Sequence, residues 1–221
     1  MRAINTFWNW FQDNNQTIKN IKSETPKNQK HVFFWINKHL NYYCQELDFI
    51  IIFPKKTTDK TEFIITANGN PVYFNQVIQL IDNAPILKYW KFTAFIRPTE
   101  DIEKFMDKLD NPYIFQDITI KVSDIMFFPL NYDENAKKFD ITVYLKNYNI
   151  HCDTKTWQQA LFIIMQDILG EKFVYKYINF VQLAQMPDND DNLIHLYDFQ
   201  TFIDTLNLEE KNLLYTKCGK P

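Results

Sequence analysis

Two apolar runs in this chain share a period and an ending: Asp48-Phe-Ile-Ile-Ile-Phe-Pro54 and Ser123-Asp-Ile-Met-Phe-Phe-Pro129. Each is followed by a polar turn, a second strand pattern, a helical pattern and a third strand pattern. Such a sequence of elements can bury one sheet face beneath a helix, which is how small α+β layers are built. The doubled order therefore predicts an α+β fold of two tandem α-β-β-α-β units, with antiparallel or mixed sheets covered by helices. The halves share few identical residues, so ordinary α+β layering without duplication accounts for the same pattern.

An N-terminal helical hairpin precedes the first strands. Residues 4–22 place Ile4, Phe7, Trp8, Phe11, Ile18 and Ile21 at helical spacings, and Pro26 breaks that helix. A second helix is expected from Gln29 to Gln45, with Val32, Trp35, Ile36, His39, Leu40 and Tyr43 along one side. Strands follow at Leu47–Phe53 and Glu62–Ala67, the latter closed by Asn68-Gly69-Asn70-Pro71, the strongest turn signal in the chain. A helix over Val72–Asn83, with Val72, Val77, Leu80, Ile81 and Ala84 inward, leads to a strand at Trp90–Ile96.

After Pro98 the order recurs. Thr99 caps a helix ending near Leu109, a strand region spans Tyr113–Phe128 and closes at Pro129, and Asn131–Lys138 forms a turn. A strand at Phe139–Leu145 precedes a helix over Thr154–Leu169, capped by Asp153 and ended by Gly170. A last strand is expected at Phe173–Leu183 and a last helix at Asn192–Thr205, in a tail placed to cover a sheet edge. Residues 1–98 are thus expected to hold the hairpin and a ββαβ unit, and residues 99–221 a second αββαβ unit with a helical tail. One continuous domain is the alternative.

Composition narrows the function classes. Aromatic residues make up 17% of the chain, with 20 Phe, 12 Tyr and 5 Trp, which rules out a disordered segment lacking core-forming side chains. The net charge is −3, and Arg2 and Arg97 are the only arginines, so bidentate phosphate or guanine readout is scarce and nucleic acid is an unlikely partner. No apolar stretch approaches the ~20 residues that span a bilayer. The first residues lack the apolar region of a secretory leader, so no membrane and a cytoplasmic location are expected. Cys44, Cys152 and Cys218 have no CxxC spacing and read as reduced thiols.

Familiar chemistry is hard to assemble from these residues. With glycine only at positions 69, 170 and 219, no glycine-rich phosphate loop can form. Ser23 and Ser123 sit in no nucleophile elbow. His31 and His39 lie eight residues apart, whereas a zinc helix needs histidines four apart. The run His151-Cys152-Asp153 holds three potential ligands, but adjacent residues converge on one ion only in a sharply bent loop. The acidic run Asp188–Asn192 fails as a calcium loop, because Leu193 and Phe199 occupy its glycine and glutamate positions. No metal or other cofactor is expected.

The segment Phe7-Trp8-Asn9-Trp10-Phe11 is the most unusual in the chain. Trp8 and Phe11 share a face with Ile4, and Trp10 falls off it. Either the stripe is simply wide and buried, or Trp10 anchors a partner or dimer contact.

The residues Glu62-Phe-Ile-Ile-Thr-Ala-Asn-Gly69, Ala84-Pro85, Trp90 and Ala94-Phe-Ile-Arg-Pro98 resemble a family of uncharacterised bacterial proteins. That family is similar over about residues 7–98, and the second half matches only in layout. The resemblance implies a bacterial source and carries no activity or catalytic residue with it. Arg97, a charge at a strand end inside the matched pattern, either pairs with a carboxylate or binds an anionic group. The first functional expectation is a non-catalytic interaction or regulatory protein, with a protein partner or a homo-oligomer. An enzyme with an unfamiliar carboxylate or Cys152 site is the second, and a single-stranded nucleic-acid binder the third.

Overall fold

The structure is a computed structural model that describes residues 2–54, 56, 58–148 and 154–206. It has the expected α+β class. The chain divides into two compact units, Met1–Ile96 and Arg97–Pro221.

In the first unit, helix α1 (Arg2–Lys19) buries Ile4, Phe7, Trp8, Phe11 and Ile18, the stripe that the three-four-seven spacing predicts. Helix α2 (Pro26–Tyr43) starts on Pro26, where the missing N–H costs nothing. The Asn28 N–H donates to the Thr25 hydroxyl at 3.3 Å, so Thr25 is the cap and the helix begins earlier than Gln29. Strands β1 (Asp48–Ile52) and β2 (Thr61–Thr66) pair antiparallel, with Ile50 opposite Ile64. Asn68 and Gly69 both take positive φ in the turn after β2, which suits that pair of residues. Helix α3 (Phe74–Asp82) then carries the chain to β3 (Trp90–Ala94), which lies parallel to β2. Val72, expected inward, is 70% exposed, because a short 3-10 turn at Pro71–Tyr73 precedes α3 and rotates it outward.

The core of this unit is aromatic. Phe7, Phe11 and Phe63 are wholly buried, and the Phe11 ring centroid lies 4.9 Å from Phe63 and 5.0 Å from Trp90. The Trp8 indole N–H donates to the Leu80 carbonyl at 2.8 Å, which ties α1 to the last turn of α3. Only one face of β1 joins this core: Phe49 and Ile51 pack against it, and Ile50 and Ile52 are exposed.

The second unit begins with α4 (Ile102–Met106), shorter than the helix expected to reach Leu109. Thr99 accepts from the Asp101 N–H at 3.2 Å and Asp101 takes the cap position, so the helix starts later than expected. Strands β4 (Tyr113–Phe115) and β5 (Ile118–Ile120) form a hairpin where one long strand was expected, because Gln116 takes positive φ and reverses the chain. Strand β6 (Met126–Asp133) runs through Pro129 instead of stopping there. Its pairing with β7 (Lys138–Leu145) shifts register between Pro129 and Asn131, and a proline is tolerated at such an interruption.

Helix α5 (Thr154–Leu169) has the expected bounds. Gly170, at φ 86°, then joins α5 directly to α6 (Glu171–Tyr177), so residues 173–177 are helical and not the start of a strand. Phe173 and Tyr177, one turn apart, pack with tilted rings whose centroids are 4.6 Å apart. Strand β8 (Ile178–Gln185) lies parallel to β7, and β9 (Ile194–His195) adds two residues to the far edge of β6. The last helix, α7, covers 199–206 and starts later than expected because residues 194–195 are strand. Phe127, Ile141, Val143, Ile164 and Phe199 are wholly buried in this unit's own core.

Both units thus place an antiparallel strand pair, a helical crossover and a parallel third strand in the same order, β1-β2-β3 and β6-β7-β8. The β4–β5 hairpin, α6 and β9 occur only in the second. Among the described residues, no helix is long and apolar enough to cross a membrane.

Tyr113 links β4 to α5, its hydroxyl donating to the Asp167 carboxylate. Burial first, and then this hydrogen bond and the nearby Asp167 and Asp110 charges, push the phenol pKa well above its ordinary 10.0. The folded state therefore holds the proton at pH values where the unfolded state has lost it. The contribution is fully present below pH 10.0 and is lost as pH rises towards the raised folded value. Denaturant unfolding on either side of pH 10.0 should show stability falling, with a shallower fall for Tyr113→Phe. An identical pH slope in that variant would count against the assignment.

Candidate protein-interaction site

A sheet edge presents unpaired backbone N–H and C=O groups, and folded proteins blunt such edges with charge, proline, bulges or short length. β1 is a five-residue edge with Asp48 at its start and Pro54 just beyond its end. β3 is another five-residue edge and carries Lys91, which pairs with Glu62 at 2.9 Å. The far edge of β6 is capped by β9 at Met126 and Phe127, and beyond that it contains Pro129 and the register shift.

β8 differs in its length and in the strand itself, although Pro187 follows its end at the distance at which Pro54 follows β1. It is eight residues long, reads Ile-Asn-Phe-Val-Gln-Leu-Ala-Gln, and contains neither charge nor proline. It stands at the end of the order β8-β7-β6-β9, and among the described residues its backbone pairs only with β7. Its register irregularity lies at the first residues, between Phe139 and Asp140 of β7, and Phe180–Gln185 pair regularly.

The side chains sort cleanly by face. Val181 and Leu183 pack against the core. Phe180, opposite Asp140, and Gln182, opposite Thr142, point to the other face, where Phe180 is 56% exposed. Phe128 of β6, also opposite Thr142, is exposed on that same face. The Asn179 amide donates to Asp140 at 2.8 Å, and the Gln185 amide donates to the Lys146 carbonyl, so both ends of β8 are fastened to β7 and to the turn after it. Among the described residues, no strand pairs with the outer edge of β8.

A second feature of this unit is a cleft of about 350 Å³ between the β4–β5 turn and the start of α5, lined by Gln116, Asp117, Thr119, Asn147, Thr156 and Trp157. A smaller recess beside it includes Lys121 and the Lys146–Asp124 ion pair. None of the buried polar atoms without a partner among the described residues lines either one. Elsewhere, buried Asp110 accepts from the Ser123 N–H at 3.2 Å, and its second oxygen and the Ser123 hydroxyl have no partner among the described residues.

The residues singled out by sequence fall in different places. Trp10 is half-buried and stacks on His39 at 4.3 Å, so it packs α1 against α2. Arg97 is exposed just after β3 and makes no ion pair among the described residues, so the expected carboxylate partner is absent there. The His31 ring accepts from the Trp35 indole N–H at 2.9 Å, and Cys44 is a half-buried free thiol. His151, Cys152, Asp153 and Cys218 lie outside the described residues. No group of three or more potential metal ligands occurs among those that are described. The β8 edge was missed by sequence reasoning, although its uncharged run was visible.

No family model, no curated protein and no solved structure matches this chain. The resemblance over residues 7–98 therefore adds no activity to this geometry.

Proposed function

We propose that the chain is a non-catalytic interaction protein that takes a partner strand onto the free edge of β8. The observation that supports this reading is the length of that edge, its uncharged, proline-free sequence and its lack of a second strand partner among the described residues. In strand addition, main-chain hydrogen bonds supply affinity and alternate side chains supply specificity. Here Phe180 and Gln182 offer the specificity positions on one face. The exposed aromatic ring of Phe180 gives an arriving strand apolar surface to cover.

Capture from native lysate with tagged protein tests this. The wild type should retain one partner in stoichiometric amount, and Phe180→Asp should lose it while unfolding at the same denaturant concentration. Recovery of the tagged chain alone, and monomeric, would remove the proposal.

A further inference from the structure

We propose that the strand received by β8 is β8 of a second copy of this chain, paired antiparallel about a two-fold axis through Gln182. This deepens the interaction reading of the same edge and rests on it.

The first argument is self-complementarity. A two-fold contact sets each residue opposite its own symmetry mate, so the strand must match itself. With Gln182 opposite Gln182 of the second copy, Phe180 faces Ala184 of that copy and Val181 faces its Leu183. A large ring thus meets a small side chain on the open face. Two aliphatic residues meet on the core face, and two amides that can donate and accept reciprocally meet at the axis. All three pairs fall within the regularly paired stretch Phe180–Gln185.

The second argument is charge. Like charges directly opposite each other destabilise a strand pair, and β8 contains none to oppose. The flanks carry opposite signs: exposed Lys176 closes α6 just before β8, and exposed Asp188 follows just after it, with Asp190 and Asp191 beyond. Antiparallel self-pairing brings the basic start of one copy to the acidic end of the other. Parallel pairing would bring like to like. The two four-stranded sheets would then form one continuous sheet, with both β8 edges removed from solvent.

Sedimentation of the full chain over a dilution series tests the proposal. The wild type should pass from monomer to dimer. Gln182→Lys and Gln182→Glu, each placing two like charges at the axis, should weaken association by about fivefold or more. Mixing the two variants in equal amounts should restore a dimer, because the charges then oppose each other. Gln182→Cys should form a disulfide-linked dimer on oxidation, since opposed Cα atoms in an antiparallel pair lie about 4.5–5.5 Å apart, within the span a disulfide bridges. A wild type that is monomeric at every concentration overturns the proposal, as does a dimer that none of these changes affects. A monomer that still captures a different protein, lost in Phe180→Asp, would overturn the self-pairing alone and leave the interaction reading standing.

Discussion

Replacing Phe11 by alanine should cost about 3–5 kcal/mol, as truncation of a buried aromatic generally does. Phe11 is wholly buried on α1 and is ringed by Trp8, Phe63, Trp90 and Phe92, with centroids 5.7, 4.9, 5.0 and 5.3 Å away. Those partners come from one helix and two strands of the sheet beneath it, so no single side chain can move to fill the space. Edge-to-face contacts between such rings add to the area that is lost. Against a typical domain stability of about 5–15 kcal/mol, this change alone brings the first unit close to unfolding. Urea titration followed by tryptophan fluorescence reads it directly, because Trp8, Trp10, Trp35 and Trp90 all lie in that unit. Phe11→Leu should recover much of the loss. A cost below about 1 kcal/mol for Phe11→Ala would mean that α1 does not cap the sheet in this way.

Phe127→Ala should have an effect of similar size, about 3–5 kcal/mol, in the second unit. Phe127 lies on β6 between β7 and β9, and its ring is 4.6 Å from Phe199 and 5.6 Å from Phe202 of α7. Its loss opens the sheet face and loosens the helix that closes it. Trp157, the one tryptophan of this unit, is nearly buried and makes an edge contact with Tyr148, so its emission reports the change. An unshifted transition by that probe would contradict the assignment of Phe127 to the centre of the core.

Helical periodicity made α1, α2 and α5 legible, since each presents an apolar stripe that no other structure could bury. Asn68-Gly69 announced its turn for the same local reason, two residues that accept positive φ. The failures had non-local causes. Pro129 read as a strand end, yet the bulge beside it lets β6 continue. Gly170 does end α5 as its sequence suggests, yet the chain re-enters a helix at once, so residues 173–177 were misread as strand. Gln116 gave no glycine signal for the β4–β5 hairpin.

The candidate site was the least legible of all. The residues of β8 were read largely as strand, but its standing at the edge depends on β7 and β6 lying in the order that the pairing creates. Trp10 and Arg97 stood out by composition, and their neighbours in space could not be read from spacing. His39, which stacks on Trp10, is 29 residues away from it in sequence.

Hydrogen exchange of the β8 backbone tests the central claim most directly. An unpaired edge leaves alternate amides of Phe180–Ala184 open to solvent, and an added strand covers them. The account predicts that these amides gain protection as protein concentration rises, while those of β3, the other parallel edge, do not change. Fast exchange of the outward amides of β8 at every concentration, with and without any captured partner, would contradict it.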